Sequence, residues 1–230
     1  MTVAGPRIIE RPAPDLAGLL ADDVSGWLAE AIEHRGMASL VVPGGSTPGP
    51  FLEALARRPI DWPRVFVVPS DERCVPLDSP RSNEAMIRAR LLQGPAAAAN
   101  LVSLLPAGED GDAIAAVATR VSRLLPIDVC VLGLGEDGHT ASLFPQADRI
   151  AAALADAASS VLPIQAPGAP EKRITLTAPV LRGARRVCLL FTGAAKREVI
   201  ARALEAGPVT DLPVRVVLDR SGSLYMYWSP

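Results

Sequence analysis

This sequence has almost no net charge, very little lysine and no long apolar run. The net charge of the 230-residue chain is −2, so no basic surface predicts a nucleic acid or an anionic membrane as partner. No apolar run reaches the length of a membrane-spanning helix, and the first 15 residues lack the apolar core of a secretory signal. Lysine occurs only at Lys172 and Lys196, which is typical of a base composition that favours arginine.

Cysteine and histidine are also rare, which bears on redox state and metal binding. Of three cysteines, Cys130 and Cys188 lie inside apolar runs, so we expect buried thiols and a reducing, cytoplasmic location. Two distant histidines, no cysteine pair and no H-E-x-x-H motif predict no metal site. The absence of G-x-S-x-G argues against a serine hydrolase. His34 ends a predicted helix, where a structural role is the favoured interpretation.

What the sequence does have is a regular alternation of apolar runs with segments at helical spacing. Continuous apolar strands separated by helices predict a mostly parallel sheet covered on both faces, which is a doubly wound α/β fold. We expect a single domain over residues 1–230. In such folds ligands bind beyond the carboxyl ends of the strands, so the loops after them are the places to search. The predicted strands are residues 38–42, 64–68, 128–134, 160–164, 186–191 and 213–218.

The loop after the first of these strands, PGGSTP, has the features of an anion site. Gly44 and Gly45 permit positive φ and outward-facing amides, and Ser46 or Thr47 can cap the next helix. Exposed amides, hydroxyls and a helix N-terminus together favour a phosphate. An ordinary strand-to-helix turn with a good cap explains these residues equally well.

The loop after residues 64–68 is charged. Asp71, Glu72 and Arg73 come after a strand that is predicted to be buried, so their charges belong at the edge of the sheet, in solvent or in a cleft. Taken alone, this triplet favours a solvated loop. The pair Ser82-Asn83 shortly afterwards favours a helix cap over a ligand.

The loop after residues 128–134 belongs to the stretch GLGEDGHTASLFP, which opens with the G-x-G-x-x-G spacing of a dinucleotide site. The context contradicts a dinucleotide site, because SLFP interrupts the candidate helix and the next strand ends without the required acidic residue. The loop instead presents Asp137 beside His139, between the tight turns that Gly135 and Gly138 allow. Histidine titrates near neutral pH and suits general base catalysis, so a functional role is favoured over a cap or core role.

The loop after residues 186–191 places Lys196 in the first turn of the next predicted helix. That end of a helix favours anions, so a lysine there is electrostatically misplaced unless it meets an anionic ligand. Arg173 precedes a short apolar stretch upstream, and taken alone it is interpreted as a surface residue.

Together these loops resemble the 6-phosphogluconolactonase family. The matching segments are VVPGGSTP, SDERCVP with SN shortly after, LGLGEDGHTASLFP, RITLT and GAAK, in the family's order over roughly residues 40–200. The resemblance implies a Rossmann-like α/β domain that hydrolyses 6-phospho-D-glucono-1,5-lactone to 6-phosphogluconate in the pentose phosphate pathway, without metal or nucleotide cofactor. One departure is Cys74, where the family often has an aromatic residue, and this bears on local packing.

The resemblance also implies a role for each loop. Residues 44–47, Arg173 and Lys196 would hold the 6-phosphate, because two cations and a group of amides match a dianion. His139 would take a proton from the attacking water. Arg73 would face the developing negative charge. Asp71 would bind sugar hydroxyls or orient the histidine, and the sequence leaves both roles open; the remaining pocket residues are Gly135, Asp137 and Gly138.

Three other functions remain as alternatives. Glucosamine-6-phosphate deaminases share the fold but carry a glutamate a few residues after the histidine, where this chain has Leu143 and Phe144. A non-catalytic sugar-phosphate sensor would keep the phosphate site without needing His139 or Arg73. A nucleotide-dependent oxidoreductase is the least favoured. For a lactonase, a deaminase or a sensor, the expected partner is a small sugar phosphate. A monomer is favoured over an oligomer.

Overall fold

A computed structural model describes residues 7–108, 111–218 and 223–230 of the chain. Its ten described strands form two sheets. In chain order the strands are β1 Arg7–Glu10, β2 Ala38–Val42, β3 Val65–Pro69, β4 Asp71–Arg73, β5 Asn100–Leu101, β6 Val129–Leu132, β7 Val161–Ile164, β8 Arg173–Leu176, β9 Arg186–Thr192 and β10 Leu224–Ser229. The larger sheet has the order β1-β10-β9-β6-β2-β3-β5, with every neighbouring pair parallel. The smaller sheet, β4-β8-β7, is antiparallel.

Helices cover both faces of the larger sheet, as the alternating pattern predicts. The described helices are α1 Ala13–Arg35, α2 Gly49–Ala56, α3 Asn83–Arg90, α4 Gly111–Ser122, α5 Ile150–Leu154, α6 Ala178–Gly183, α7 Ala194–Leu204 and α8 Arg215–Leu218. Alternate strand residues enter two separate apolar clusters. Leu40 and Val129 pack with α1 to α3, whereas Val41 and Cys130 pack with α4 and α6 to α8. The doubly wound α/β prediction is confirmed, and Cys130 and Cys188 are buried.

Two predicted strands differ from the structure. Residues 160–164 do form a strand, β7, but it lies in the small antiparallel sheet. Residues 213–218 contain helix α8 instead of a strand. Val214 and Val217 are both fully buried, and their spacing of three is helical, so the β-branched composition of this run was misleading. The last strand in the chain is β10, which lies between β1 and β9 in the larger sheet, and the sequence prediction missed it.

Two further predictions concern loops. The low-complexity sequence of residues 151–160 is compatible with a soft-ended helix or a mobile loop, and in the structure it contains the end of the short helix α5 and then a turn. The sequence PAGEDGD at residues 106–112 predicts a surface turn that leads into a helix. Residues 109 and 110 lie outside the described residues, and α4 begins at Gly111. No described helix combines the length and the apolar character needed to cross a bilayer.

The strand order determines where the site can form. From β2 the chain continues outward through β3 to β5, and it returns on the other side of β2 as β6. Such a reversal opens a crevice between the loops that come after the two central strands. The loops after β9, β6, β2 and β3 therefore meet along one edge, and these four loops carry all of the predicted site residues except Arg173, which lies on β8.

Candidate active site

A cleft of about 330 Å³ lies at this edge, a size that suits a small ligand. It brings together predicted residues of all four loops and Arg173 of β8. Those that line it are Gly44, Gly45, Ser46, Thr47, Asp71, Arg73, Gly135, His139, Arg173 and Lys196. Asp137 and Gly138 support its wall from the same loop as His139. The dispersed sequence motifs thus form one site.

The glycine turn after β2 is shaped by close contacts and by backbone conformation. A Cβ on Gly44 would overlap the side-chain amide of Asn83, and Gly45 has a φ of 90°. The prediction that Ser46 or Thr47 caps the next helix is wrong. Helix α2 begins at Gly49, and its cap position is occupied by Pro48, which offers no side-chain acceptor. Both hydroxyls therefore remain available to a ligand in the cleft.

The charged triplet is not a solvated loop. It forms β4 in the small sheet, and Asp71 and Glu72 are both buried. The Asp71 carboxylate accepts hydrogen bonds from the hydroxyls of Ser70 (2.8 Å) and Ser142 (2.6 Å), and it lies 3.7 Å from the guanidinium of Arg173. Pairing of β4 with β8, about a hundred residues later in the chain, causes this burial.

Glu72 fixes the segment between β4 and α3. Its carboxylate accepts hydrogen bonds from the backbone amides of Arg73, Asn83 and Glu84, at 2.6–2.8 Å, and from the Ser82 hydroxyl at 3.2 Å. Burial raises the pKa of Glu72 although these donors oppose the change. Ser82 caps α3, as predicted, by accepting from the amide of Ala85. The adjacent Asn83 lines the cleft, so the pair Ser82-Asn83 combines a cap with a wall of the site.

The cationic groups of the cleft have few counter-charges. The Nε atoms of Arg73 and Arg173 are both buried without a hydrogen-bond partner among the described residues. Burial lowers the pKa of Arg173, and the neighbouring Arg73 acts in the same direction while Asp71 opposes it. Lys196 lies in the first turn of α7, as predicted, and its ammonium group makes no hydrogen bond or ion pair to a described residue. Positive charge without matching negative charge is suited to an anionic ligand.

His139 lies across the same cleft, in a hydrogen-bonded pair with Asp137. Its Nδ1 is 2.6 Å from the Asp137 carboxylate, which also accepts the backbone amide of His139 at 3.1 Å. Partial burial alone would raise the pKa of Asp137, but these hydrogen bonds and the charge of the imidazole lower it overall. The carboxylate that contacts the histidine is therefore that of Asp137, and the contacts of Asp71 lie elsewhere.

The two glycines of this loop leave room for the pair. A Cβ on Gly135 would overlap Nδ1 of His139 and the Asp137 carboxylate. Gly138 has a φ of 81°, and a Cβ there would collide with Leu212. The amide of Gly135 donates to the carbonyl of His139 at 2.9 Å, which closes a tight turn instead of the helix start that a dinucleotide site needs.

Several site residues were missed by sequence reasoning. Ser70 and Ser142 hold Asp71, and Phe144 stacks on His139 with ring centroids 4.1 Å apart. Ser142 and Phe144 belong to the stretch HTASLFP, which the sequence did single out. There, however, we considered only the missing carboxylate and the interruption of the helix. Among the described residues, no three His, Cys, Asp or Glu side chains are placed to hold a metal ion.

Comparisons with known proteins identify the class. Residues 12–227 match the sequence model of the family described as glucosamine-6-phosphate isomerases/6-phosphogluconolactonase, and the chain belongs to this family. It is 44% identical to a 6-phosphogluconolactonase of Rhizobium meliloti over 99% of both chains. A Pseudomonas putida 6-phosphogluconolactonase is 42% identical, over 95% of this chain and 90% of its own. The crystal structure of a 6-phosphogluconolactonase from Shewanella baltica matches with a TM-score of 0.92 and 35% identity, over 99% of each chain.

Proposed function

We propose that this chain is a 6-phosphogluconolactonase, which hydrolyses 6-phospho-D-glucono-1,5-lactone to 6-phospho-D-gluconate. The observation that carries the proposal is that one cleft joins a group of cations with few counter-charges to a histidine–aspartate pair. The full-length similarity to 6-phosphogluconolactonases supports the same conclusion.

The cationic end of the cleft would bind the 6-phosphate. Lys196 and Arg173 would each donate charge-assisted hydrogen bonds to the dianion, and the amides and hydroxyls of residues 44–47 would complete its coordination. Asp71 would hold the guanidinium of Arg173 in place through their ion pair, since both of its oxygens already accept hydroxyl hydrogen bonds. Binding at this end would place the lactone carbonyl toward His139.

The histidine end would activate water. With Nδ1 held by Asp137, the other ring nitrogen, Nε2, is the one left to accept a proton from a water molecule. The water oxygen attacks C1, and the proton that it loses passes to His139. The adjacent carboxylate stabilises the imidazolium that forms.

Collapse of the tetrahedral intermediate would complete the reaction. Arg73 would stabilise the negative charge on the former carbonyl oxygen. The bond between C1 and the ring oxygen then breaks, and the imidazolium of His139 returns its proton to that oxygen, which becomes the C5 hydroxyl. The product is a carboxylic acid that ionises at neutral pH, so each turnover releases one proton to the solution. Every step uses side chains of the cleft and one water molecule.

The test is hydrolysis of freshly prepared lactone, measured as acid release and corrected for spontaneous ring opening. We expect wild-type hydrolysis well above that background, and His139→Asn should remove most of it, by about 10²–10⁴-fold, while 6-phosphogluconate still binds. His34→Asn is the matched control, since it replaces the only other histidine and should leave turnover unchanged. Glucosamine 6-phosphate should release no ammonia. A protein that binds 6-phosphogluconate but hydrolyses no lactone would instead be the sugar-phosphate sensor.

The cytoplasmic location and the monomeric state remain proposals from the sequence. The first rests on the expected reducing compartment, and the second is tested by sedimentation or light scattering of the purified chain.

A further inference from the structure

One aromatic ring contacts both functional ends of the site. The Phe144 ring stacks on the His139 imidazole with centroids 4.1 Å apart and planes at 29°. The guanidinium carbon of Arg173 lies 5.0 Å from the centroid of the same ring. The proposed base and the proposed phosphate ligand thus share one supporting side chain.

Phe144 is not placed as an ordinary core residue. Its ring is only half-buried, and it belongs to neither of the two apolar clusters that the described residues form. Its neighbour Leu143 is fully buried in one of those clusters. Hydrophobic burial therefore explains Leu143, whereas the contacts that the structure gives the Phe144 ring are to His139 and Arg173.

The backbone that carries Phe144 is held in an uncommon conformation. The two non-glycine residues with positive φ in the described chain are Ala141, at 50°, and Gln146, at 60°, and they flank this turn. Such conformations persist where the surrounding structure fixes them, and they are concentrated at functional sites. Here the turn is fixed by Ser142, whose hydroxyl donates to Asp71 at 2.6 Å, and by Thr140, whose hydroxyl donates to the carbonyl of Gly133 at 2.9 Å.

We propose that Phe144 is a positioning residue that holds His139 and Arg173 in register with each other; the proposal rests on the proposed function. Stacking restricts rotation of the imidazole, so Nε2 faces the bound lactone while Nδ1 stays on Asp137. The electron-rich face of the ring attracts the guanidinium, which also lies 3.7 Å from the Asp71 carboxylate. The same attraction favours the imidazolium that forms during catalysis. In this role Phe144 contacts neither the phosphate nor the lactone ring of the substrate.

Kinetics of three variants test this role. Phe144→Leu keeps an apolar side chain of similar bulk but removes the aromatic face. We expect it to lower kcat and to raise KM for the phosphorylated lactone together, each by roughly 3- to 30-fold, the range of one cation–π contact. Phe144→Tyr should restore both values. Phe66→Leu, which shortens a half-buried phenylalanine on β3, is the control and should change neither.

A spectroscopic measurement tests the contact without using activity. The chain has only two histidines, so the His139 ring protons are assigned by comparison with His139→Asn. Stacked on Phe144, these protons should resonate upfield in the wild type and in Phe144→Tyr, and they should move downfield in Phe144→Leu. Circular dichroism establishes that each variant is folded.

The outcomes separate this proposal from the proposed function. An inactive wild type would contradict the lactonase assignment. An active wild type whose folded Phe144→Leu variant keeps both kcat and KM would overturn the positioning role alone. An unshifted His139 signal in Phe144→Leu would overturn the stacking on which the role depends.

Discussion

Arg73 and Arg173 lie directly opposite each other on the paired strands β4 and β8. Like charges in this position destabilise a pair of antiparallel strands unless an opposite charge lies nearby. Asp71 supplies part of that charge from 3.7 Å, and a bound phosphate dianion would supply more. The small sheet therefore contains a repulsion between two arginines, and we expect an anionic ligand in the cleft to reduce it.

Removing a cation from the phosphate end should weaken substrate binding. We expect Arg173→Ala or Lys196→Ala to raise KM and the Kd of 6-phosphogluconate, because a dianion loses a charge-assisted partner worth roughly 1.5–3 kcal/mol. Lys172→Ala, which removes the other lysine of the chain and adjoins Arg173, should bind normally. Calorimetry measures the Kd of 6-phosphogluconate for all three variants, and steady-state kinetics give KM. If unphosphorylated gluconolactone reacted as well as the phosphorylated lactone, the phosphate assignment would be wrong.

The Asp137–His139 pair should matter for turnover more than for binding. Asp137→Asn keeps the shape of the side chain but removes the charge that stabilises the imidazolium, so kcat should fall at least about tenfold while KM changes little. Steady-state kinetics at fixed pH give both values. Asp78→Asn, at an exposed aspartate outside the cleft, is the control. A normal kcat in Asp137→Asn would contradict the role of the carboxylate.

Gly135 should tolerate no side chain. In Gly135→Ala the new methyl group overlaps the His139 ring and displaces it, so we expect activity to fall sharply while the fold persists. Gly26→Ala in α1 is the matched substitution, because a Cβ there meets no atom within 4 Å. It should raise helix stability by about 0.5–1 kcal/mol and leave activity unchanged. Thermal unfolding and lactone hydrolysis distinguish the two variants; an active Gly135→Ala would refute the steric argument.

The raised pKa of Glu72 makes its contribution to stability depend on pH. Since the folded state binds this proton more tightly than the unfolded state, Glu72 stabilises the fold more as pH falls, and this gain is lost as pH rises through the raised pKa. The free energy of unfolding of wild type minus that of Glu72→Gln should therefore increase between pH 7 and about pH 4.5. Urea unfolding at each pH measures it. A difference that shrinks over this window would show that the pKa is lowered.

Treatment with a chelator tests whether the reaction needs a metal. Titration with nucleotides tests whether the G-x-G-x-x-G spacing of the loop after β6 binds a dinucleotide. We expect full lactonase activity after exhaustive treatment with a chelator, because the proposed steps use only side chains and water. We expect no calorimetric binding of NAD, NADP or FAD, since the loop after β6 lacks the helix start and the acidic ribose partner. Activity that was lost in chelator and restored by zinc or magnesium would overturn the mechanism.

The sequence allowed the site to be located because parallel strands bring their carboxyl ends to one edge. Motifs after β2, β3, β6 and β9 could therefore be assigned to one cleft without knowing the strand order. The environment of Asp71 could not be predicted, because its burial depends on pairing with β8, which is far away in the chain. For the same reason, the triplet Asp71-Glu72-Arg73 was predicted to be a solvated loop when it was taken alone.

Helix α8 and Phe144 show a second limit. Residues 213–218 are rich in β-branched residues, which predicts a strand. Only the structure shows that Val214 and Val217, three residues apart, are both buried, as in a helix. The SLFP segment was interpreted as a helix interruption, which is correct, but the two contacts of the Phe144 ring depend on rotamers and on a strand thirty residues later. Side-chain placement of this kind is set by tertiary packing.

The Glu72 carboxylate has a consequence for how the chain can change during evolution. It accepts hydrogen bonds from the amides of Arg73, Asn83 and Glu84, so one buried carboxylate holds the backbone at both ends of the intervening loop. Cys74 is exposed directly after Arg73, at the start of this loop. Lengthening a loop costs little conformational entropy. We therefore expect residues 74–80 to accept insertions and substitutions while Arg73 and Asn83 keep their positions at the cleft, as long as the carbonyl of Arg81 still accepts from the Arg73 guanidinium.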